Sequence, residues 1–148
     1  MKLVRGFKTE LAPNNVQRSL LARTAGCARF AYNWGLARRI EEYKATGKSG
    51  SAIDQHKQLN CLKESEFPWM YEVSKCAPQE ALRDLDAAYK GFFRRVKAGE
   101  KPGFPRFRSV SRYDSFTTED VVFGKELLRV EAKRKSGRKN SRTNPKST

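Results

Sequence analysis

The sequence predicts a mostly helical α+β fold: a small antiparallel sheet interrupted by about four helices, then a disordered basic tail. Three observations predict it. Residues 2–11 place Leu3, Phe7 and Leu11 at even spacing, with Lys2, Lys8 and Glu10 on the other side, as in a half-buried strand. Segments of helical periodicity with capping signals follow up to Gly99. Short β-prone runs return at Tyr113–Thr118, Val121–Phe123 and Leu127–Val130. The layout is a first strand at 1–12, a helical insertion at 13–99, returning strands at 100–131 and a basic tail at 132–148.

Each element has a local reason. Gly6 marks a bulge or a close backbone approach in the first strand. After Pro13, Asn14 caps a helix and Gln17 completes a capping box, with Val16, Leu20, Leu21 and Thr24 inward. Gly26 is expected to interrupt it. A second helix over 27–44 carries Phe30, Trp34, Ala37 and Tyr43 near one face, widened by Leu36 and Ile40. Two helices joined at a glycine have helix-turn-helix spacing, although αα-hairpins share it.

Residues 46–51 form a loop, and Ser51 with Asp54 caps a third helix over 52–65. Its expected stripe is Ile53, His56, Leu59, Cys61 and Leu62. Phe67-Pro68-Trp69-Met70 breaks the pattern, and Trp69 is expected to plug the core. Residues 75–97 give the strongest helical signal, with Pro78 in the first turn and Leu82, Leu85, Tyr89, Phe92, Phe93 and Val96 at three- and four-residue steps. Pro102 and Pro105 make the following segment extended rather than helical.

The 148 residues allow one ordinary domain with appendages. No run of about 18 uncharged apolar residues exists to span a membrane. Charges at Lys2, Arg5 and Lys8 break up any secretory apolar region. Cys27, Cys61 and Cys76 are odd in number and widely spaced, which favours small packed thiols in a reducing, cytoplasmic compartment.

With 31 Lys and Arg against 16 Asp and Glu, the formal charge is +15. Residues 90–112 carry +7 and the tail from 131 carries +6, whereas 1–89 carry only +4. Self-repulsion of this density is relieved by a polyanion, and nucleic acid supplies one whose bound counterions are released on contact. A solvated basic surface is the plainer alternative, and for the tail it is as good. In 90–112 rings are interleaved with the cations, as at nucleic-acid surfaces. Candidate phosphate contacts are Arg94, Arg95, Lys97, Lys101, Arg106 and Arg108, with Arg29, Arg38 and Arg39 as a second patch. Tyr32 and Phe107 are candidate stacking rings, with core packing as the alternative.

No catalytic residues, metal ligands or cofactor sites are assigned. There is no Gly-rich phosphate loop, and His56, the single histidine, has no assignable nucleophile or carboxylate partner. A metal-dependent nuclease needs converging carboxylates. Asp84 and Asp86 stand two apart on a helix and point in different directions.

The motif order carries a resemblance. Gly6-Phe7-Lys8-Thr9-Glu10-Leu11 with Pro13 and Gln17 comes first, then Gly26-Cys27-Ala28-Arg29-Phe30-Ala31-Tyr32-Asn33-Trp34-Gly35-Leu36. Phe67-Pro68-Trp69-Met70, the run from Gln79 to Phe93, and Gly103-Phe104-Pro105-Arg106-Phe107-Arg108 before Ser115-Phe116 follow. Together, over about residues 1–118, they resemble the start of TnpB/OrfB-type proteins of bacterial insertion sequences. The resemblance implies an RNA-guided DNA nuclease. Its N-terminal wedge β-domain, interrupted by a helical recognition region, grips guide RNA and target DNA. Cleavage there belongs to a later RuvC-like domain, whose carboxylates and zinc cysteines have no counterpart in this sequence.

The expectation is therefore a truncated module that binds DNA, structured guide RNA or both without cutting. Two other readings stay open. One is a regulatory or interaction protein derived from such a nuclease. The other is a small or split nuclease, with Asp84, Asp86 and Asp114 as the acids to test.

Overall fold

The computed structural model describes residues 1–6, 8, 10, 12–112 and 114–117. Among them are three α-helices, α1 (Asn15–Thr46), α2 (Ala52–Ser65) and α3 (Cys76–Ala98), with a 3-10 turn over Pro68–Glu72. There is no strand among the described residues, so the α+β expectation is corrected to an all-helical arrangement there. In the segment expected as a first strand, Leu3 and Val4 are exposed, with no second strand alongside among the described residues. Alternating side chains alone do not hold an extended segment without a ladder to pair with. The runs expected at 121–123 and 127–130, and the tail from 132, lie outside the described residues.

The capping signals operate as the spacing predicts. Asn14 accepts from the Gln17 amide at 2.9 Å while Gln17 returns a bond to the Asn14 amide at 3.0 Å. Ser51 and Asp54 form the same reciprocal box on α2. Gly47 and Gly99 end α1 and α3 in the left-handed region, at φ 71° and 70°.

The break expected at Gly26 does not occur, and α1 runs unbroken for 32 residues. An isolated glycine costs a helix about 1 kcal/mol relative to alanine, and packing of the residues around it outweighs that. The face of α1 turned to the core is Thr24, Ala28, Ala31, Gly35 and Arg39, with Cys27, Tyr32 and Leu36 beside it. Tyr43 and Val16, expected inward, are exposed. Small residues win this face because α3 approaches closely. A Cβ on Gly35 would lie 2.7 Å from Leu82 Cδ2 and 3.0 Å from Leu85 Cδ2.

Leu36, Leu59, Leu82 and Leu85 are fully buried at the centre, each contributing about 1.5–3 kcal/mol. The inward face of α2 is rotated from the expected stripe: Ala52, Gln55, Leu59 and Lys63 are buried, while Ile53 and Cys61 are exposed. Gln55 can enter the core because its amide donates to the Gly35 carbonyl at 2.8 Å and accepts from Arg39 Nε at 2.9 Å. On α3, Leu82, Leu85 and Tyr89 are buried as expected, whereas Phe93 and Val96 are exposed.

Candidate nucleic-acid interface

The extended segment after α3 lies across the helices, and a side chain does the work of a missing strand. Asn33 Nδ2 donates to the Arg108 carbonyl at 2.9 Å, and the Arg108 amide donates to Asn33 Oδ1 at 2.8 Å. The Arg108 guanidinium sits 4.0 Å from the Tyr32 ring centroid and bonds Asp84 at 3.3 Å. Phe104 packs edge-on against Tyr89 and Phe92, with centroids 5.7 Å and 5.5 Å away, and Pro105 is buried. With Phe104, Pro105 and Arg108 anchored, Arg106 and Phe107 are left exposed.

On α3, Lys90, Arg94 and Lys97 recur at four- and three-residue steps, so they form one stripe down the helix. The buried Leu82, Leu85 and Tyr89 occupy the other side. All three cations are exposed, as are Arg95 and Lys101. No ion pair joins Lys90, Arg94, Arg95, Lys97, Lys101 or Arg106 to an acid among the described residues. Part of this charge favours the helix itself, since Arg95 and Lys97 lie in its last turn.

The second patch divides. Arg38 is exposed and lies 5.8 Å from the Trp34 centroid. Arg29 is half-buried and bonds Asp114 at 2.5 Å. Arg39 is 3% exposed, ion-paired to Asp86, bonded to Gln55 and 5.0 Å from the Tyr89 centroid. It has no surface to offer a phosphate, and that assignment is corrected to a core role. Tyr32, 6% exposed beneath Arg108, is likewise a packing ring, and burial raises its hydroxyl pKa. Sequence spacing could not separate these cases, because Arg38 and Arg39 are adjacent and only tertiary packing turns one of them inward.

The acids named for a nuclease reading are each taken by a different arginine: Asp84 by Arg108, Asp86 by Arg39 and Asp114 by Arg29. Among the described residues no three His, Cys, Asp or Glu side chains cluster as a metal site would require. Burial pushes the Cys27 thiol up to about 11, only partly offset by Lys63, so it stays protonated near neutrality. No described helix is long and apolar enough to cross a membrane.

Two features add to the sequence reading. One is a half-buried His56, whose Nδ1 has no hydrogen-bond partner and whose basicity is lowered first by desolvation, then by Lys63, Lys75 and Arg83. These cations come from α2, the stretch before α3, and α3 itself, so no local motif announces them. A lowered pKa means the folded state resists a proton that the unfolded chain accepts near the ordinary 6.5. The folded form is therefore fully favoured above that value and loses stability as pH falls through it towards the lower folded value. Urea midpoints at about pH 7.5 and about pH 5.5 should show this loss, and His56→Gln should reduce it. The other is a cleft of about 450 Å³ lined by Gly26, Arg29, Phe30, Asn33, Trp34 and Trp69. The five α1 residues follow a helical i, i+3, i+4, i+7, i+8 pattern, which was the available signal. Trp69, expected in the core, is 42% exposed at the rim.

The described residues form a small basic helical domain with an aromatic segment docked across it. Residues 1–48 match the family of helix-turn-helix domains of IS605 OrfB proteins. In this chain that span holds one continuous helix, and the first turn between helices comes only at Gly47. The chain is 35% identical over 120 residues to the Escherichia coli (strain K12) protein named "Putative RNA-guided DNA endonuclease InsQ". That match covers 78% of this chain and 28% of the relative. A Streptomyces pristinaespiralis protein named "Putative RNA-guided DNA endonuclease" is 31% identical over 106 residues, covering 71% of this chain and 25% of its own length. The chain is a TnpB/OrfB-type protein, and it spans about a quarter of the length of these curated relatives.

Proposed function

We propose that this chain binds nucleic acid through the phosphate backbone, using the outward stripe of α3 and the segment docked beside it. Lys90, Arg94 and Lys97 form the centre, with Arg95, Lys101 and Arg106 at its edge. Arg29 and Arg108 act through their ion pairs as posts that hold the extended segment in place. Arg38 adds charge on α1. The observation that carries the reading is a set of six exposed cations with no acid partner among the described residues.

The names of the relatives favour RNA and DNA as the partners, and this stretch then contributes grip rather than cleavage. Each phosphate neutralised releases counterions, so log K against log salt falls by about 0.7–0.9 per contact. Fluorescence anisotropy with labelled structured RNA and duplex DNA, over a salt series, tests this. Engagement of four to six cations predicts a slope between roughly −3 and −5. A flat slope, or no binding at low salt, overturns the proposal.

A further inference from the structure

We propose that the cleft on α1 is a stacking site for one nucleobase of a single-stranded nucleic acid. It rests on the phosphate-binding reading above and adds the substrate class. The floor is Gly26, where a Cβ would meet only the far end of Arg29 at 3.6 Å. The missing side chain therefore leaves open space rather than admitting a neighbouring helix, in contrast to Gly35. The walls are aromatic. Phe30 meets Trp69 edge-on at 5.1 Å and Phe67 edge-on at 4.9 Å. This packing braces the indole without sandwiching it, and Trp69 remains 42% exposed. Trp34 stands one turn further along α1.

Charge supplies the choice of occupant. Arg38 is exposed and lies over Trp34 at one end of the aromatic row, while Arg29 at the other end is already paired with Asp114. A flat ring attached to a phosphate satisfies both features at once, which a purely apolar ligand does not. Stacking on rings beside a cationic track is how single strands are held without regard to sequence. The polar lining is held in place by the segment docked across the helices. One hydrogen bond at each end of the Asn33 amide holds it against the Arg108 backbone, and Arg29 is bonded to Asp114.

The chain contains two tryptophans, and both line this cleft, so intrinsic fluorescence reports on it directly. The whole chain is titrated with an oligothymidylate and with an abasic deoxyribose-phosphate strand of equal length. Anisotropy measures binding and indole emission measures stacking. Both strands should bind at low salt, and only the base-bearing strand should quench. Trp69→Ala should weaken the oligothymidylate by about tenfold and leave the abasic strand unchanged. Gly26→Leu, which favours helix and fills the floor, should do the same with both indoles retained. Equal quenching by the two strands, binding of oligothymidylate without quenching, or unchanged affinity in Gly26→Leu overturns the stacking site. Failure of both strands to bind at low salt instead overturns the phosphate-binding reading beneath it.

Discussion

Asp86→Ala should destabilise the protein by about 3 kcal/mol, read as a lower urea midpoint. The cause is the partner left behind. Arg39 is 3% exposed, and its guanidinium is held by Asp86, by Gln55 Oε1 at 2.9 Å and by the face of Tyr89. Removing one partner of a buried pair costs about 3–5 kcal/mol, because a desolvated charge loses its counter-charge. Asp86 is itself 29% exposed, which places the effect at the low end. The double variant Asp86→Ala with Arg39→Met should recover much of the loss, since an apolar chain of similar length needs no partner. A double-mutant cycle isolates this coupling. If Asp86→Ala costs no more than an ordinary surface substitution, Arg39 does not depend on that carboxylate.

Replacing Lys90, Arg94 and Lys97 together by Glu should lower affinity for RNA or DNA by about a hundredfold or more at 0.1 M salt. It should also flatten the salt slope by about 2–3. The arithmetic is that of counterion release, in which three lost contacts are worth about 0.8 of a log unit each at that salt, before any repulsion. Far-UV circular dichroism should be unchanged, because none of the three side chains enters the core. The triple variant of Arg29, Arg38 and Arg39 is no substitute as a test, because Arg39 belongs to the core. An unaltered salt slope in the α3 variant would show that phosphate is bound elsewhere.

Helix positions and ends were legible wherever a local rule sets them. Asn14 with Gln17, Ser51 with Asp54, and glycines at 47 and 99 act within a few residues of themselves, and the structure uses all of them. Inward faces were most legible on the buried half of α3, where Leu82, Leu85 and Tyr89 repeat at helical steps, and in part on α1 and α2, at Thr24, Leu36 and Leu59. On α1 the expected Leu36 is buried and Phe30, Trp34 and Ile40 pack against the core, but Val16 and Tyr43 are exposed. The core selects Ala28, Ala31 and Gly35 because α3 lies against them, and nothing within α1 announces that approach. Among the described residues the strand expected at residues 2–11 is not formed, and alternation describes only one edge of a pairing.

The sequence by itself determined the capped helix ends at Asn14, Gly47, Ser51 and Gly99, that the segment after α3 cannot be helical, and that positive charge gathers around residues 90–112. Those properties depend on caps, prolines and composition, which act within a few residues. Tertiary structure alone decided which cations remain at the surface. It drew Arg39 inside to Asp86, tied Arg29 to Asp114 and Arg108 to Asp84, and left the α3 stripe without an acid partner among the described residues. Electrostatic pairing is settled by distance in space, and residues separated by 24 to 85 positions become neighbours only when the helices have packed.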